Sequence, residues 1–139
     1  YFTMVLADVD LDTGQVIMTQ AGHPNPLNQR ANGDVEFVGT SGLPVGLIED
    51  AGYDQFEVRL HPGDRLLLHS DGVGECAAPD GTLFGDEGLA VLVGELRSLH
   101  AQSFHETLAW KLSEYSGSAE FNDDISCVLL EFRQPGLAS

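Results

Sequence analysis

Apolar and polar residues alternate with a period of two through the first part of the chain, then change to a helical period. Tyr1 to Leu11 is rich in β-branched and aromatic residues, meets the turn signal Asp12-Thr13-Gly14 and resumes as Gln15 to Thr19, which predicts a hairpin. Pro24-Asn25-Pro26 introduces a short third strand over Leu27 to Arg30. Asn32-Gly33 is the strongest two-residue hairpin signal, because both residue types tolerate φ > 0, and Asp34 to Val38 answers it as a fourth strand. Thr40 to Gly46 is a Gly/Pro loop. Tyr53 to Leu60 alternates again, with Phe56, Val58 and Leu60 on one face, and His61-Pro62-Gly63-Asp64 predicts a tight turn. Arg65 to His69 is apolar on both faces, which marks a central, buried strand, and it stops at Ser70-Asp71-Gly72.

Beyond this point Leu89, Leu92, Val93 and Leu96 recur at i, i+3, i+4, i+7 as one helical face. Ser103-Phe104-His105-Glu106 has the form of a capping box. Phe104, Leu108, Leu112 and Tyr115 line the helix it would open, and Ser116-Gly117-Ser118 marks its end. Ile125 to Phe132 is a final strand. Strands and helices in separate runs predict an α+β domain with helices packed on a face of an antiparallel sheet.

Length and charge narrow the choices. The 139 residues suit one domain or part of one, and 42% hydrophobic residues permit a real core. With 22 Asp+Glu against 6 Lys+Arg, the formal net charge is -16. Nucleic-acid binding needs cations to neutralise phosphates, and an anionic membrane surface would repel this chain, so neither is expected as a partner. An acidic surface serves solubility, or gathers carboxylates to hold cations. No apolar stretch is long enough to suggest a membrane span, and no basic segment followed by an apolar run marks a signal peptide. Two cysteines, Cys76 and Cys127, are too few for a disulfide scaffold, so a cytoplasmic location is expected. The sequence starts at Tyr1 directly on a strand-like run, which reads as a piece of something longer.

Candidate chemistry sits at strand ends. Asp71 directly follows the buried strand and Asp123-Asp124 shortly precedes the last one. If those strands pair antiparallel, Asp71 and Asp123 meet at the same end of the sheet, with Gly72 allowing a sharp turn. Clustered carboxylates repel unless one is protonated or a cation sits between them, and Mg²⁺ or Mn²⁺ takes such oxygen ligands. Asp-Gly is equally a common turn pair, and Asp-Asp a solvated loop. His23, in Ala21-Gly22-His23-Pro24, reads as a ligand or proton shuttle, or as a histidine whose ring nitrogens anchor the turn. His69 reads as a support behind a site or a sheet-face histidine. Ser41 and Ser70 lack a nucleophile-elbow setting, Cys76 follows acidic Glu75, and Ser41 to Gly46 lacks the Lys of a phosphate loop.

Taken in order, Ala21-Gly22-His23-Pro24-Asn25-Pro26-Leu27, Gly42-Leu43-Pro44-Val45-Gly46, Leu60-His61-Pro62-Gly63-Asp64, Leu68-His69-Ser70-Asp71-Gly72-Val73, Leu83-Phe84-Gly85 and Asn122-Asp123-Asp124-Ile125-Ser126 resemble the PPM-type (protein phosphatase 2C-like) serine/threonine phosphatases, in the bacterial SpoIIE/RsbU subgroup. The resemblance implies an α-β-β-α sandwich of antiparallel sheets flanked by helices. It also implies a two-metal Mn²⁺/Mg²⁺ centre whose activated water attacks a phosphoserine or phosphothreonine. Asp71 and Asp123 are then metal ligands, with Gly72, Asp124 and His23 shaping the site. The implied substrate is a phosphorylated signalling protein of the anti-sigma-factor-antagonist type, and a sensor or receiver domain is implied upstream. The family also has an N-terminal Gly-Asp motif, absent before Asp71: Ala7-Asp8-Val9 is similar, but no Ser-Gly-His-Gly follows. Gly74 stands where relatives carry a larger residue. The expectation is therefore a C-terminal portion of such a catalytic domain over residues 1–133, its N-terminal part absent, with a frayed tail over 134–139. A non-catalytic, partner-binding module is the alternative.

Overall fold

A computed structural model describes residues 3–39, 46, 55–118 and 124–133. Its strands are β1 (Met4–Val9), β2 (Gln15–Ala21), β3 (Leu27–Gln29), β4 (Val35–Phe37), β5 (Gln55–Arg59), β6 (Arg65–His69) and β7 (Cys127–Glu131). Its helices are α1 (Asp71–Gly74), α2 (Gly85–Glu95) and α3 (Ala101–Ser116). All strand pairs are antiparallel, in one sheet of order β1-β2-β5 and a second of order β4-β3-β6-β7.

The period-two faces explain the layering. Val16, Met18, Val58, Leu60 and Leu66 point between the sheets and form one buried cluster. Leu27 and Leu67 point the other way and meet Leu89, Leu92, Val93, Leu96, Phe104, Leu108 and Leu112 of the helices. Neighbours Leu66 and Leu67 thus feed different cores, so β6 is apolar on both faces and lies inside its sheet, as its sequence predicts. The described residues build sheet, sheet and helices in that order, an α+β sandwich.

Three local readings change. The Asn32-Gly33 connection is not a two-residue turn: Gly33 has φ +100° while Asn32 keeps negative φ. The Gly33 N–H reaches the Arg30 carbonyl (2.8 Å) and the Arg30 N–H reaches Asp34 (2.8 Å), closing a three-residue loop with glycine at its left-handed position. Buried Asp64 selects it by accepting from the Ala31 N–H (2.8 Å), the His61 N–H (2.8 Å) and the Arg30 guanidinium (2.9 Å). Burial pushes this carboxyl up, but those donors outweigh it and hold it below its ordinary value.

The second change is at α3. Ser103 lies inside the helix, and no side chain caps its start; His100 occupies the cap position. The His100 ring is tied to Glu131 (2.9 Å), which draws the helix start upstream of the predicted box. The predicted end holds: Gly117 sits left-handed at φ +74°. The third is a turn of helix, α1, directly after β6, where a turn alone is predicted. The Thr40 to Gly46 loop lies, Gly46 apart, outside the described residues, as does the 134–139 tail.

Both cysteines are free and disfavour the thiolate through burial rather than through acidic Glu75. Burial raises Cys127 from 9.0 to about 11. At pH 8 the folded Cys127 should react with iodoacetamide about 100-fold more slowly than the unfolded chain, since reactivity follows the thiolate fraction. Mass mapping of the labelled peptide measures this, and equal rates in both states contradict the burial.

Candidate functional site

β6 and β7 pair from Arg65↔Glu131 to His69↔Cys127, so the chain leaving β6 lies beside the chain entering β7. The pairing continues one step further, with the Ser70 N–H donating to the Ser126 carbonyl (2.9 Å). The Ser70 hydroxyl then fastens the incoming loop, donating to the Asp124 carbonyl (3.2 Å) and accepting from the Ser126 N–H (2.9 Å). The chain at Asp71 thus lies beside the Asp124 backbone. Asp123 itself lies outside the described residues. Asp124 is exposed, with its backbone carbonyl turned to Ser70.

Asp71 opens α1 with its side chain exposed. Gly72 does not make a left-handed turn; it is helical and buried. Its glycine identity is required by space instead, because a Cβ would stand 2.3 Å from the Asp124 carbonyl oxygen. The backbones of α1 and of the loop before β7 are thus in direct contact. Gly72→Ala should displace that loop and cost about 1–3 kcal/mol, the usual range for overpacking. Chemical unfolding measures the loss, and an unchanged midpoint would refute the close approach.

Asp71 stands on the rim of a cavity of about 350 Å³. His23, Asn25, His69, Glu75 and Asp86 line it as well. His69 is buried, and its Nε2 donates to the Asn25 carbonyl (3.1 Å), fixing the segment after β2. The Gln20 amide does the same from below, donating to the His23 carbonyl (2.6 Å) and to the Asn25 side chain (2.8 Å). The turn is therefore anchored through the His23 backbone, and the His23 ring adds a hydrogen bond to the His69 backbone. The His23 ring is left with a buried Nδ1 that has no hydrogen-bond partner among the described residues. Burial holds its pKa below the ordinary value.

Asp71, Glu75 and Asp86 bring carboxylate oxygens, the donor type a hard divalent cation takes, to one cavity. The described donors do not close a coordination shell, since no group of three or more His, Cys, Asp or Glu among them is arranged to hold a metal. The sequence reading missed Ser70 as a clamp and Glu75 and Asp86 as cavity acids. A hydroxyl at a strand end beside Asp71 was the available signal for Ser70; the acids are gathered only by the fold.

Two antiparallel sheets stacked under helices, with an acidic site where the central strand ends, define the protein phosphatase 2C type of fold. The phosphatase domain of the cell fate determinant SpoIIE from Bacillus subtilis has it, with a TM-score of 0.78 at 21% identity over 99% of this chain and 59% of that one. The RsbU and RsbW domains of a Mycobacterium tuberculosis protein superpose with a TM-score of 0.75 at 26% identity, over 97% of this chain and 37% of that one. The sequence matches the Stage II sporulation protein E (SpoIIE) family over residues 1–133, and the chain belongs to that family. It is 28% identical to phosphoserine phosphatase RsbU of Bacillus subtilis over 134 residues, 94% of this chain and 38% of that protein. Phosphoserine phosphatase RsbP of the same organism is 29% identical over 73 residues, 52% of this chain and 18% of that protein. The chain thus spans well under half the length of these two relatives. No helix among the described residues is long and apolar enough to cross a membrane.

Proposed function

We propose that this chain is the C-terminal portion of the catalytic domain of a metal-dependent protein serine/threonine phosphatase of the cytoplasm. Family membership and the phosphoserine phosphatases among its relatives support this reading. The observation that supports it is the β6–β7 pairing, which sets Asp71 beside the backbone of Asp124, the residue that follows Asp123 in the sequence.

Asp71 and Asp123 would hold Mn²⁺ or Mg²⁺, with the shell of a two-metal centre completed by donors from outside these 139 residues. When bound, the ions acidify water and stabilise the charge that develops on the phosphoryl oxygens. The chain's own residues supply position. The start of α1 holds the Asp71 carboxylate out at the rim, and Ser70 and Gly72 lock the two acidic stretches together. Glu75 and Asp86 make the cavity hostile to a second anion unless cations are present, which ties phosphate binding to metal binding. The substrate is a phosphoserine or phosphothreonine on a small signalling protein of the anti-sigma-factor-antagonist type, and a sensor or receiver domain precedes the catalytic domain.

The test is phosphate release from a phosphoserine protein by the full-length enzyme. Release with Mn²⁺ that stops on chelation is expected. Folded full-length protein that releases none with Mn²⁺ or Mg²⁺, yet still captures a partner in the presence of chelator, is the outcome that favours a non-catalytic module.

A further inference from the structure

A second concavity lies between α2 and α3, with a volume of about 480 Å³. Phe84, Val91, Leu92 and Tyr115 supply its apolar surface. The floor is preorganised: Phe84 and Tyr115 meet edge to face at 5.2 Å, and the Tyr115 hydroxyl donates to the Thr82 carbonyl (2.9 Å). Val91 is 63% exposed, and Trp110 and Leu83 are exposed nearby along the same helices and the approach to α2. Such apolar exposure on an otherwise acidic chain marks an interaction surface.

The rim gives the partner's chemistry. Glu87, Glu95 and Glu114 surround the floor, and among the described residues none of them forms an ion pair. The one cation of the rim, Lys111, lies over the Trp110 ring at 5.1 Å. An apolar slot edged by unpaired carboxylates is complementary to an apolar stripe flanked by Lys and Arg. The shape asks for a helix: Phe84, Glu87, Gly88, Val91 and Glu95 form one ridge along the whole of α2. Eleven residues of helix run about 16 Å, the length of three turns of a partner. At Gly88 a Cβ would press on the Phe84 ring at 3.1 Å, so glycine keeps the slot open.

We propose that the α2–α3 groove docks a basic amphipathic helix of a partner protein, apolar face down and cations against Glu87, Glu95 and Glu114. The groove adjoins the Asp71 cavity, because Gly85 and Asp86 line one while Phe84 and Glu87 line the other. A helix bound there would deliver its protein next to the acidic site.

The probe is a fluorescent peptide of about 14 residues, roughly 21 Å as a helix, with leucines at i, i+3, i+4 and i+7 and lysines elsewhere. Its binding to the full-length protein is read by fluorescence anisotropy, against the same peptide with glutamates for lysines and one with serines for leucines. The lysine–leucine peptide should bind at least about tenfold tighter than either control, and Val91→Glu and the double variant E87K/E95K should each lose about tenfold. Both variants change exposed side chains, and unchanged melting temperatures confirm that they fold. Three results overturn the proposal: no binding, equal binding of the leucine and serine peptides, or variants that bind like the parent. A Val91→Glu change that converts a dimer to a monomer in sedimentation also overturns it, by assigning the groove to a second copy. The readout is binding alone, so its failure is distinct from failure of the phosphatase reading.

Discussion

Replacing Asp71 with alanine in the full-length protein is expected to lower kcat/KM on a phosphoserine protein by at least about 100-fold while leaving the melting temperature within about 2 °C. The two halves of that expectation have separate causes. Asp71 is exposed, and among the described residues its carboxylate forms no hydrogen bond or ion pair, so folding does not depend on it. A charged side chain held out just past the end of a buried strand, with no hydrogen bond or ion pair among the described residues, is suited to a ligand rather than to the fold. Asp71→Asn keeps the shape and removes the charge, and should lose nearly as much activity. Asp123→Ala should likewise lose activity. Full activity in Asp71→Ala would remove this residue from the proposed metal site.

Phe104→Ala carries the largest expected loss of stability, about 3–5 kcal/mol, the range for deleting a buried aromatic ring. Phe104 is fully buried in the cluster between the helices and the β4-β3-β6-β7 sheet. Its ring also lies under the Arg65 guanidinium, 4.9 Å away. Arg65 is itself buried at the start of β6, donating to the Gln29 side chain (2.6 and 2.9 Å), the Leu96 carbonyl (3.2 Å) and Glu131 (3.3 Å). Deleting the ring therefore leaves a cavity beneath a buried cation whose hydrogen bonds depend on a rigid surround. Urea unfolding should show the full loss for alanine and under about 1.5 kcal/mol for Phe104→Leu, which keeps most of the volume. A loss below about 1 kcal/mol for alanine would contradict the packing.

The elements were legible wherever one face is apolar. The stripes Leu89, Leu92, Val93, Leu96 and Phe104, Leu108, Leu112 are buried as their spacing predicts, and β6 announces its central place by the run Leu66-Leu67-Leu68, apolar on both faces. What escaped reading depends on partners distant in sequence. Asp64 decides the loop type after Arg30, and Glu131 decides where α3 begins. Gly72 looks like a turn glycine until the Asp124 backbone is placed against it. The strand ends were legible: pairing β6 with β7 sets the chain at Asp71 beside the backbone of Asp124. The cavity acids Glu75 and Asp86 were not, because they join only when α1 and α2 fold back.

The Ser70–Ser126 clamp joins residues 56 apart in sequence, and both long helices lie between them. Closing so long a loop costs chain entropy that must be recovered before the contact is rewarded, so such pairings form late on the folding path. The two acidic stretches are therefore strangers in the nascent chain and become neighbours only when the β4-β3-β6-β7 sheet is complete.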